Sequence, residues 1–180
     1  MDKTTKKLND FNLIILKDIQ SNDRTKMINA FKKLSSQANE TITQPLLDLY
    51  STSQNDAIKI EIKKTFSQLK TSKALPILIK NLNHKDNRVK ELALYSIWSS
   101  NLDACDYIPE IIVAACKGDF MVALEALTLI ENLEGPFKEE DLMEGMISIN
   151  EYFSNNMDDK ENLIKSLSEI LMLFEEQIQI

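Results

Sequence analysis

His84, Cys105 and Cys116 are the residues from which metal or nucleophilic chemistry would have to be assembled, and their spacing assembles none. The two cysteines make no C-x-x-C pair, and a single histidine cannot complete a transition-metal set. Cys116 falls in an apolar helical stretch, where a free thiol behaves as a small hydrophobe, so it is expected in the core. No G-x-S-x-G accompanies His84, which reads as a solvated turn residue. Gly118, Gly135 and Gly145 lie too far apart to cradle a phosphate. Glu139, Glu140, Asp141 and Glu144 gather at one predicted helix start, and Asp158, Asp159 and Glu161 at the next. Carboxylates there complement the helix dipole, and neither cluster has the alternating ligands and central glycine of a calcium loop. The chain therefore reads as non-catalytic, with no cofactor and no metal ligand expected.

What remains is recognition chemistry. Glu91, Tyr95 and Trp98 stand at i, i+4 and i+7, on one face of a predicted helix. Tyr and Trp are the residue types most enriched at binding hot spots, because they combine large apolar area with a polar handle. Lys64 occupies the Tyr95 position one repeat earlier, between Ile60 and Ser67; Leu124, Thr128 and Glu131 follow one repeat later. Lys64, Glu91, Tyr95 and Trp98 are the expected partner-binding residues, with the aromatic pair as anchors and the two charges as selectors. The competing reading packs Trp98 between repeats, with Ile60 and Leu124 as further inter-repeat core.

The elements that must position these side chains are set by a repeat. Pro45, Pro76 and Pro109 open three segments that can be overlaid. Ten residues after each proline stands Asn55, Asp86 or Asp119, a short polar residue suited to cap a helix. The positions that follow at helical spacing are apolar: Ile58, Ile62 and Phe66; Val89, Ala93 and Ile97; Val122, Ala126 and Ile130. Leu92 and Leu94 widen the middle stripe. Each unit is thus a first helix, a polar turn and a second helix, with Ser72 expected to cap the third unit's first helix and Gly118 to end the fourth's. A period of about 31 to 33 residues in helical register is the signature of a solenoid.

The ends follow the pattern loosely. Helices are expected over about Leu8–Ile19 and Arg24–Ser36, with Asn22 or Asp23 as the cap between them. Ala30 and Leu34 take the inward positions, and Lys26, with Met27 beside it, precedes them. Beyond Gly135-Pro136 the register changes, with helices over Glu139–Phe153 and Glu161–Ile178 and Pro136 and Phe137 stapling the first. Leu163, Ile164, Leu167, Ile170, Leu171 and Phe174 form one broad apolar face on the last helix. The expected organisation is one domain over 1–180: an atypical N-terminal hairpin over 1–40, three clearer repeats over 41–134 and an atypical capping hairpin over 135–180.

Asp86-x-x-Val89-Lys90-x-x-Ala93, preceded by Pro76, resembles a HEAT repeat. In that family an aspartate caps the second helix and a basic residue follows the valine; Lys90 and Lys59 hold the basic position, whereas Ala123 does not. The resemblance covers about residues 41–134 and implies an all-α, right-handed α-solenoid of about five antiparallel helical hairpins. It also implies a concave surface lined by the second helices, and hence a scaffold for another protein or peptide. Some HEAT-like proteins are DNA glycosylases, so nucleic acid is the alternative partner.

Charge bears on that choice. Residues 1–90 hold 17 Lys/Arg against 9 Asp/Glu, and residues 91–180 hold 4 against 19. Lys32, Lys33, Lys59, Lys63, Lys64 and Lys70 could meet phosphates if they shared a side. The formal net charge of −7 and the presence of only Arg24 and Arg88 as arginines argue against a duplex ligand. The bipolar distribution also suggests head-to-tail self-association. No apolar run approaches the ~20 residues a membrane span needs, and none suits an export signal. Cytoplasmic residence is expected, and Asn39-Glu40-Thr41 is read as a chance glycosylation match.

Overall fold

The computed structural model describes residues 3–21, 23–37, 40–68, 71–155 and 158–178. Among them are ten α-helices and no strand, as the scarcity of glycine and proline predicts. The contacts group into two compact units, Met1–Ile77 and Leu78–Ile180.

The first unit holds α1 (Lys3–Ile19), α2 (Arg24–Gln37), α3 (Thr43–Thr52) and α4 (Asp56–Phe66), and the start of α5 (Leu75–Lys80). Helix α1 packs on α2, and α4 packs on both α2 and α3. Asp23 is the cap of α2, its carboxylate accepting from the amides of Thr25 and Lys26 at 2.8 and 3.1 Å; Asn22 lies outside the described residues. Ala30 and Leu34 are buried as expected, while Lys26 is exposed and Met27 half-buried, because Lys26 sits on the outer edge of the stripe. Ser72 does not cap α5. It lies inside a 3-10 turn, Ser72–Ala74, which Thr71 precedes without a side-chain cap bond.

The second unit holds the rest of α5, then α6 (Asn87–Ser99), α7 (Ile108–Lys117), α8 (Phe120–Glu131), α9 (Glu139–Asn155) and α10 (Glu161–Ile178). Helix α8 packs on α6, α7 and α10, and α9 packs on α7 and α10. Phe137 precedes α9 and reaches across to α10. Its ring stacks on Phe174 of α10, with centroids 3.9 Å apart and planes 13° from parallel.

The repeat positions behave alike. The nine overlaid apolar positions (Ile58, Ile62 and Phe66; Val89, Ala93 and Ile97; Val122, Ala126 and Ile130) are all buried. The three caps form as well: Asn55 accepts from the Ala57 amide at 3.0 Å, Asp86 from the Arg88 amide at 3.0 Å, and Asp119 from the Val122 amide at 3.1 Å. Each satisfies an amide that the first turn would otherwise leave without a partner. The Arg88 guanidinium also bonds Asp86, and this contact leads the causes that hold the carboxyl below its ordinary range. His84 stands in the turn before α6 as expected, half-buried, and its Nδ1 accepts from the Asp86 amide at 3.0 Å.

A lysine clasp joins α10 to the α7–α8 turn. Lys160 is buried, and its ammonium donates to the Cys116 carbonyl at 2.9 Å and to the Gly118 carbonyl. These carbonyls belong to the C-terminal end of α7, where a cation also complements the helix dipole. The Asp158 carboxylate lies 3.7 Å from the ammonium and accepts from the Tyr152 hydroxyl. That hydroxyl bond is the leading reason the Asp158 carboxyl is held low, while burial raises the Tyr152 hydroxyl. Cys116, expected in the core, is half-buried beside this clasp; Cys105, in the loop before α7, is the buried thiol.

A candidate protein-binding groove

Helices α2 and α4 bound a groove of about 670 Å³ in the first unit. Helix α2 contributes Arg24, Met27, Ile28, Phe31 and Lys32, which recur at i, i+3, i+4, i+7 and i+8 and so share one face. Helix α4 contributes Ala57, Ile60, Glu61 and Lys64, again a single stripe, with Thr65 beside it. Ile60 keeps 65% of its surface exposed and Ile28 40%, whereas Phe31 is buried. The result is an apolar floor edged by three cations, Arg24, Lys32 and Lys64, and one carboxylate, Glu61.

Lys64 is the expected partner-binding residue that lies in this groove. Glu91, Tyr95 and Trp98 lie in the second unit, on α6, and all three are half-buried. The Tyr95 and Trp98 rings meet edge to face, 5.3 Å between centroids at 82°. The Trp98 indole N–H donates to the Glu125 carboxylate of α8 at 2.7 Å. Trp98 thus bridges α6 and α8 while remaining half-buried. Ile60 and Leu124, the other inter-repeat core candidates, are exposed instead, Leu124 at 36%.

Arg24, Ile28, Glu61 and Glu125 were not among the expected residues. The α2 stripe carries a readable signal, since its apolar residues exceed what Ala30 and Leu34 need for the core. Glu125 carries another. It stands sixteen residues after Pro109, where Leu92 stands sixteen after Pro76 and is buried. A carboxylate at a buried register position needs a donor, and Trp98 on the neighbouring helix supplies one.

Among the described residues no group of His, Cys, Asp and Glu side chains could hold a metal ion. Nor is any helix long and apolar enough to cross a membrane. Of the basic residues considered for phosphate contact, Lys32 and Lys64 line the groove, Lys59 lies 3.8 Å from Asp56, and Lys70 lies outside the described residues. The chain matches no protein-family model, and no curated protein is significantly similar to it.

Proposed function

We propose that the helical hairpins are HEAT-like repeats of an α-solenoid, and that the protein is a non-catalytic scaffold binding another protein through its second helices. The α2–α4 groove carries this reading. It is concave, it exposes isoleucine where a soluble helix would ordinarily present a polar side chain, and its charges sit at the rim. Apolar centre and polar edge are the usual anatomy of a protein-binding site. Because both walls are ordered helices, a docking partner loses less conformational freedom than it would on a flexible platform. Tyr95 and Trp98, with Glu91 on the same helix, form a second recognition patch of hot-spot residue types.

Affinity capture from cell lysate tests the proposal, with the wild type beside Ile60→Asp and Tyr95→Ala/Trp98→Ala. The expected outcome is a protein partner lost with one of these folded variants. Nuclease-sensitive, salt-sensitive recovery of nucleic acid would instead support the alternative partner, through Arg24, Lys32 and Lys64. Capture unaffected by either variant would refute the groove and the aromatic patch together.

A further inference from the structure

Resting on the reading of the α2–α4 groove as a protein-binding site, we propose that its occupant is the outer face of α9 from a second copy of this chain. Helix α9 buries Leu142, Gly145, Ile149 and Tyr152 against its own unit. At 3.6 residues per turn, the diametrically opposite stripe is Glu140, Met143, Ile147 and Glu151. Met143 and Ile147 are 59% and 54% exposed, one turn apart. The whole helix holds Glu139, Glu140, Asp141, Glu144 and Glu151 and no cation.

The two surfaces are complementary in net sign, the groove carrying three cations against the single carboxylate Glu61. The ridge reads acid, apolar, apolar, acid. Along α2 the groove reads Arg24, Ile28 and Lys32, and along α4 it reads Ile60, Glu61 and Lys64. At ~1.5 Å per residue, Glu140 to Glu151 spans about 16 Å and Arg24 to Lys32 about 12 Å, a difference that extended basic side chains cover. Seated this way, Met143 and Ile147 meet Ile28 and Ile60, while the carboxylates reach the rim cations. An amphipathic helix laid in a groove through i, i+4 anchors is a recurrent recognition mode. Groove and ridge are different patches, so the contact is heterologous: every copy offers one of each, and association builds rings or open chains rather than closed pairs.

The test is sedimentation velocity of the full chain over a concentration series, at about 0.1 M and about 1 M salt, where the Debye length falls from ~10 Å to ~3 Å. Concentration-dependent oligomers at low salt that shift toward monomer at high salt are expected. Ile60→Asp and Ile147→Lys, both at exposed sites, should each abolish them. The decisive arm uses charge reversal. Lys64→Glu and Glu151→Lys should each weaken self-association alone, and an equimolar mixture should restore it, because the intact groove of one fits the intact ridge of the other. A wild type monomeric at both salts, association indifferent to Ile60→Asp, or a mixture no more associated than its components would each overturn the proposal. A monomeric wild type that still captures a different protein through Ile60 would leave the scaffold reading standing, so the two failures are distinguishable.

Discussion

Replacing Lys160 with methionine keeps the length and most of the aliphatic volume of the side chain while deleting its ammonium. The ammonium makes two hydrogen bonds, to the carbonyls of Cys116 and Gly118, and a looser contact of 3.7 Å to Asp158. Charge-assisted hydrogen bonds contribute about 1.5–3 kcal/mol each, so the gross loss is about 3–6 kcal/mol. The partly exposed Asp158 contact adds at most about 1 kcal/mol. Against this, methionine no longer has to strip water from a buried charge, which offsets part of the loss. The net destabilisation expected is about 2–4 kcal/mol. For a chain of this size each kcal/mol lowers Tm by roughly 2–4 °C, so a fall of roughly 5–15 °C should appear by calorimetry. Lys165→Met is the control: that side chain is exposed and 4.0 Å from Glu169, and its loss should stay within about 0.5 kcal/mol. Equal melting of the two variants would refute the clasp.

Other expectations come from the same packing. A Cβ on Gly118 would lie 2.5 Å from the Val122 side chain and 2.8 Å from the Ala114 carbonyl. Gly118→Ala should therefore destabilise by about 1–3 kcal/mol in chemical denaturation, and an unchanged midpoint would contradict the close helix turn. Ala93→Leu and Ala126→Leu overfill fully buried sites and should cost a similar ~1–3 kcal/mol each; unaffected melting of both would sink the repeat register. The Asp158 carboxyl is held below its unfolded value, chiefly by the Tyr152 hydroxyl, so its stabilisation is present above about pH 4 and fades as pH falls through the folded-state value. Asp158→Asn should accordingly flatten the acid limb of a Tm–pH profile, and an unaltered limb would count against that bond. Burial pushes the thiols of Cys105 and Cys116 up to about 11, so both should react slowly with a disulfide reagent at pH 8 and quickly once unfolded. A fast-reacting thiol in the native protein would contradict their placement.

How far the sequence could be read depended on the range of the interaction. The caps Asn55, Asp86 and Asp119 bond amides two or three residues away, and Ile58, Val89 and Val122 follow from helical periodicity, so all were legible. Glu161–Ile178 was bounded correctly because its apolar face is broad and its start is acidic. Lys160 was not legible, since nothing near it announces that its ammonium reaches carbonyls 42 and 44 residues earlier. Cys105 escaped for a related reason: it sits outside any periodic stripe, in a segment where it and Ala104 are buried while Asp103 and Asp106 on either side are exposed. Lys64 was expected to bind a partner and is exposed, but the groove it lines depends on how α2 docks on α4, and the sequence pattern of α4 alone contains only one wall. Ser72 shows the converse error. A good capping residue was in place, but the chain enters α5 through a 3-10 turn and has no need of it.

The indole of Trp98 belongs to the only tryptophan in the chain, and its N–H is held by a carboxylate of the next helix. The protein therefore carries its own optical reporter, and one with a defined address. Emission and its quenching by soluble agents will register anything that separates α6 from α8 or covers the Tyr95–Trp98 patch. The first unit, by contrast, contains no such chromophore, so melting of α1–α4 leaves no tryptophan of its own to change colour. Comparing tryptophan emission with far-ultraviolet helicity during unfolding would thus reveal whether the two units lose structure together or in turn, without attaching a label to either.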